Sequence, residues 1–140
     1  MRLLASLLAF GAMLSAASAQ EAKITAFKVF VIWEDTGQMS PDWSKQQQIV
    51  ANDRQLGSSM QARVDIVLEG KPNDMVDKPL EVAVKTDDGK TASYSLPIGF
   101  FAKKQLIRSV IVTHGCNPFE VDAKTGSSRR TLKIQLTCGG

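Results

Sequence analysis

The feature that most constrains this chain is a period of two. From Met60 to Glu69, Met60, Ala62, Val64, Ile66 and Leu68 alternate with Gln61, Arg63, Asp65 and Glu69. Successive side chains of a strand point to opposite faces, so this stretch reads as a half-buried strand. The pattern returns at Leu80, Val82 and Val84. It returns again at Ala92, Tyr94 and Leu96 after Asp87-Asp88-Gly89-Lys90, and the two runs with that turn predict a hairpin. Leu132, Ile134, Leu136 and Cys138 form a further series, which puts Cys138 on the core side. Ile24 to Trp33 and Leu106 to Thr113 are apolar on both faces and are expected to be central or covered strands. The fold class expected is all-β: an antiparallel β-sandwich of six to eight strands, immunoglobulin-like only in the loose sense. Both tryptophans, Trp33 and Trp43, precede both cysteines, so the Cys-Trp-Cys order of antibody domains is missing.

The first 19 residues read as a cleaved leader, not as part of that sandwich. Arg2 is the charged start, Leu3 to Leu14 the apolar run, and Ala17-Ser18-Ala19 the cleavage site. The run is shorter than the ~20 residues a membrane-spanning helix needs. Residues 20–140 are then one exported domain, in a periplasm or outside the cell, with no transmembrane segment. In an oxidising compartment Cys116 and Cys138, the two cysteines of the chain, are expected to pair. Closing that loop stabilises the fold by ~3 kcal/mol in the chain-entropy account.

The long connection from Glu34 to Ser59 breaks the regular scheme. Ser40-Pro41-Asp42 has the form of a helix start, with a cap, a proline at the first helical position and an acid in the first turn, so a short helix from Pro41 to about Ala51 is one expectation and a long loop the other. Trp43 belongs to this segment, either as a lid on the sandwich or as the aromatic of a binding loop.

Charge singles out the rest. The chain has 17 Lys plus Arg and 14 Asp plus Glu, yet residues 20–98 hold 9 basic and 12 acidic groups, while 99–140 hold 7 and 2. Lys103, Lys104 and Arg108 lie at or before one strand, and Arg129, Arg130 and Lys133 begin another. Such clusters suit either a solvated face or an anionic partner. Neither is interleaved with the aromatics of a single-strand binder, so nucleic acid is not expected. Phe100 and Phe101 precede Lys103 and Lys104, a juxtaposition that fits a core plug or an interfacial anchor beside cations.

Catalytic and metal constellations are thin. One His and two Cys exclude multi-His and four-Cys metal sites within the chain. No aspartate series has EF-hand spacing. His114 lacks a Gly-x-Ser-x-Gly context for a triad. Asp35-Thr36-Gly37 after an apolar strand, with Pro97-Ile98-Gly99 downstream, resembles the retroviral-type aspartic peptidases. That resemblance implies a homodimer in which two Asp35 carboxyls activate water. Read from its residues alone, the tripeptide is a turn.

The function expected is therefore that of an exported, non-catalytic binding or accessory protein with no cofactor, recognising an envelope or extracellular protein or an anionic polysaccharide. A secreted hydrolase inhibitor, a fibre-assembly chaperone-like protein and the peptidase are the alternatives. Trp43, Phe100, Lys103, Lys104, Arg108, Arg129, Arg130 and Lys133 are the candidate contact residues.

Overall fold

The strand β4 (Met60–Glu69) organises the molecule as its alternation requires: Met60, Ala62, Val64, Ile66 and Leu68 are all buried. The structure, a computed structural model, describes residues 21–52 and 59–139. The leader expected at residues 1–19 and part of the 34–59 connection lie outside them. In chain order the other strands are β1 (Lys23–Trp33), β2 (Gln38–Met39), β3 (Gln48–Asn52), β5 (Met75–Val76), β6 (Leu80–Thr86), β7 (Thr91–Leu96), β8 (Gly99–Phe100), β9 (Gln105–His114), β10 (Phe119–Thr125) and β11 (Ser128–Gly139). Two sheets, ordered β2-β1-β4-β9 and β3-β11-β10-β6-β7, face each other across one hydrophobic core. A two-stranded ribbon, β5-β8, closes one end.

Every strand pair is antiparallel except β3 with β11, which is parallel. The hairpin predicted around Asp87-Asp88-Gly89 is β6–β7, with Leu80 opposite Leu96 and Val82 opposite Tyr94. β7 ends its sheet, and Tyr94 is exposed there. A second hairpin, β10–β11, buries Phe119, Val121 and Ala123.

Two local expectations are corrected. No helix forms among the described residues, and the 40–51 segment instead lies along β1 and then becomes β3. The residues that resemble a helix cap are used by the strand: Ser40 Oγ accepts the Val31 N–H at 2.9 Å, and Asp42 Oδ1 accepts the Val29 N–H at 2.9 Å. These bonds occupy the unpaired side of β1 beyond the two-residue β2, and so serve backbone donors that would otherwise be unmet. The second correction concerns β9, which is not central but the end strand of its sheet, with Ile107 and Ile111 exposed. Cys138 keeps the inward side of β11 that the alternation gives it, in register with the buried Ala51, but is exposed because it lies at the end of the strand. Cys116 and Cys138 form a disulfide with Cα atoms 5.4 Å apart, joining the loop after β9 to the last strand of the opposite sheet.

Candidate functional site

The two regions that the sequence singles out, the 34–59 connection and the basic C-terminal strands, meet in one groove. Trp43 anchors its wall. The Trp43 N–H donates to the Val29 carbonyl at 2.9 Å, and its ring packs edge-on against Trp33 with centroids 6.4 Å apart. Half-buried against the core, Trp43 is a lid on β1. The residues after it, Ser44 to Gln47, turn outward and run beside β11, where the Gln135 N–H donates to the Gln47 carbonyl at 2.9 Å.

Between this segment and residues 131–135 of β11 lies an open groove of about 550 Å³. Ser44, Lys45, Gln46 and Gln47 line one side; residues 131–135 line the other, where Thr131, Lys133 and Gln135 are exposed, Leu132 is half-buried and Ile134 belongs to the core. A shallower depression of about 250 Å³ continues from it across the sheet and shares Lys133 and Gln135. Its lining adds Lys85 and Glu120, which are cross-strand neighbours, as are Glu120 and Lys133. Lys133 Nζ lies 3.4 Å from Glu120. The exposed lining is thus amides, hydroxyls and ammonium groups beside the half-buried Leu132. Amides and hydroxyls both donate and accept hydrogen bonds, whereas ammonium groups only donate.

The remaining candidates fall elsewhere. Arg129 is held in a bidentate pair with Asp122, at 2.9 and 2.6 Å, which lowers the Asp122 carboxyl below its ordinary value. Arg108 donates to the carbonyls of Pro97 and Ile98 at 2.9 and 2.7 Å and so ties β9 to the connection from β7. Phe100, Lys103 and Lys104 sit at the end of the sandwich where β4 meets β9, because Glu69 pairs with Gln105 and the Gly70 N–H donates to the Lys104 carbonyl at 3.0 Å. Arg129 and Arg130 reach that same end: Ile24, near the start of β1, donates its N–H to Ser128 Oγ at 2.9 Å. The fold therefore gathers these five residues at one end, keeps Lys133 in the groove and puts Trp43 over the other half of β1.

Asp35, Thr36 and Gly37 form the hairpin loop between β1 and β2, with Gly37 at φ 67° and its N–H donating to the Trp33 carbonyl at 2.8 Å. Pro97-Ile98-Gly99 lies toward the opposite end of the sandwich, beside the ribbon. At the Asp35 end, Glu34 accepts hydrogen bonds from Ser59 and Gln61 and lies 3.7 Å from His114. Those two hydrogen bonds, and then the imidazole, hold Glu34 below its ordinary value against the small opposing effect of burial. Among the described residues no three His, Cys, Asp or Glu side chains converge as metal ligands.

Sequence reasoning missed Lys45, Gln46, Gln47 and Thr131 as groove residues. Their signal is their position in an overlong polar connection and on the outer side of β11, and it becomes readable only once β3 pairs with β11. No helix among the described residues is long and apolar enough to cross a membrane. Neither protein-family models nor curated proteins give a significant match to the chain.

Proposed function

We propose that this chain is an exported binding protein that holds an anionic polysaccharide along the groove between residues 44–47 and β11. The observation that carries this reading is the groove's lining: Lys45 and Lys133 stand among amide and hydroxyl side chains beside the half-buried Leu132. Ammonium groups suit carboxylated or sulfated sugars, the amides suit their hydroxyls, and the uncovered part of Leu132 suits the C–H face of a sugar ring. The groove is open along its length and runs on into the depression at Lys85, which fits a chain passing through better than a small molecule enclosed on most sides. Glu120 orients Lys133 and discourages anions too bulky to reach past it. Export is supported by the leader pattern in the sequence and by the Cys116–Cys138 disulfide, a bond that persists in oxidising compartments.

Titration calorimetry with polygalacturonate and with neutral dextran tests the reading. The acidic polymer should bind with an affinity that falls as salt rises, and dextran should not. Lys45→Glu combined with Lys133→Glu should weaken binding on the order of tenfold or more, by removing and reversing two charges near the ligand. Equal binding of both polymers, or no effect of the double substitution, refutes it.

A further inference from the structure

The end of the sandwich opposite the disulfide carries an exposed apolar pair on chain segments rich in lysine, and we infer that it is a docking surface for an anionic lipid bilayer. Residues 70–76 and 99–104 zip together as a continuation of the β4–β9 pair. Asn73 donates its N–H to the Phe101 carbonyl at 2.7 Å, Phe101 to the Asp74 carbonyl at 2.9 Å, and Met75 stands opposite Phe100. Alternation along this ribbon sends neighbouring side chains in opposite directions. Phe101 and Val76 go inward, Phe101 with no exposed surface at all. Gly70 makes room for it: a Cβ there would come within 2.9 Å of the Phe101 ring.

The other face of the ribbon is apolar too, and none of the described residues covers it. Met75 is 59% and Phe100 51% exposed, among the most exposed large apolar side chains among the described residues, and they are cross-strand partners on one face. A core-anchored ribbon that presents a second apolar face offers a rigid wedge and not a loose tip. Exposed Lys71, Lys103 and Lys104 belong to the same two segments, and exposed Lys78, just beyond the first, is paired with Glu21 at 3.1 Å. Asp74 and Asp77 are the acids of residues 70–78 and 99–104, and with Glu21, which pairs with Lys78, the four lysines leave a net charge of +1. Arg130, exposed on β11, adds to the charge at this end.

Charge of this sign near an anionic membrane surface attracts the protein, and apolar side chains at the centre of the patch then enter the boundary between headgroups and acyl chains. Neither contribution is sufficient alone, which is the usual case for reversible membrane association. A protein partner would accept the same apolar pair, but the cations flanking it on both segments match a continuous anionic surface. The inference is independent of the groove, whose residues lie elsewhere on the molecule.

Flotation of the protein of residues 20–140 with vesicles tests it. The protein should float with vesicles of phosphatidylglycerol and phosphatidylcholine at low salt, should be released as salt rises, and should not float with phosphatidylcholine alone. Met75→Ser with Phe100→Ser, and separately Lys103→Glu with Lys104→Glu, should each weaken vesicle binding on the order of tenfold or more while leaving the thermal midpoint unchanged. Phe100→Trp should add a fluorescence component that shifts to the blue on binding. Lys45→Glu with Lys133→Glu should leave flotation intact. Failure to float with the anionic vesicles, or flotation that responds to the groove substitutions and not to those on the ribbon, overturns the inference.

Discussion

Two connections between the sheets do the same structural task with different surface chemistry. Residues 38–47 carry the chain from β1 toward β3, and the ribbon of residues 70–76 and 99–104 lies where the chain passes between β4 and β6 and between β7 and β9. Each buries an aromatic against the core, Trp43 in the first and Phe101 in the second. Each is tied by main-chain bonds, from Trp43 to Val29 and from Phe101 to Asp74. What lies next to the aromatic is then displayed on a rigid support: hydroxyl, amide and ammonium groups beside Trp43, and an apolar pair with lysines beside Phe101. The comparison teaches that one buried residue makes a connection rigid, while its neighbours decide what the connection can bind.

The largest expected effect tests whether the ribbon is anchored as described. Phe101→Ala should cost about 3–5 kcal/mol in urea denaturation, the usual range for a fully buried aromatic. Gly70→Ala should cost about 1–3 kcal/mol by pressing a methyl group into the same ring. A loss below ~1 kcal/mol for Phe101→Ala would mean that the ribbon is not held by its aromatic, and the comparison would fail. Trp43→Ala, at a half-buried site, should cost less, about 2 kcal/mol, and should disturb polymer binding more than vesicle binding.

Asp42 sharpens the contrast, because it fastens the first connection through a titrating group. Burial acts to raise its carboxyl, but the N–H groups of Val29 and Ser44 and the Ser44 hydroxyl outweigh this and hold it below its ordinary value of 3.8. A carboxyl depressed by folding contributes stability that is present above its unfolded value and is lost as pH falls through its folded value. Asp42→Ala should therefore cost about 1–2 kcal/mol at neutral pH, and the difference from wild type should shrink as pH drops below 3.8. A pH-independent difference would assign the loss to packing instead. The smallest effect is on stability at the displayed positions: Lys45→Glu and Phe100→Ser should each change it by less than about 0.5 kcal/mol, while moving polymer and vesicle binding respectively.

Much of the fold was legible from strand parity. The inward series of β4 and the β6–β7 hairpin are where the alternation puts them. β10 carries the same alternation, with Phe119, Val121 and Ala123 against Glu120, Asp122 and Lys124, but it is not among the strands read above from the sequence. The apolar outer face of β9 misled because two-sided apolarity does not separate a covered strand from an end strand that displays Ile107 and Ile111. Ser40-Pro41-Asp42 misled because the side-chain acceptors that cap a helix cap an unpaired strand equally well. Of the candidate sites, Lys133 and Phe100 were readable from residue type and neighbourhood. Met75, set among Asn73, Asp74 and Asp77, acquires its meaning only from standing opposite Phe100.

By itself, then, the sequence determined which side chains of β4, β6 and β11 turn inward, where the turns at Asp35-Thr36-Gly37 and Asp87-Asp88-Gly89 fall, and which cysteine pairs with which. These are local matters of backbone alternation, turn chemistry and count. The tertiary structure decided which strands end a sheet, that residues 44–47 face β11 across a groove, and that Met75 and Phe100 share one exposed face while Phe101 is wholly buried. Those outcomes depend on pairings between residues far apart in the chain, whose register no local pattern encodes.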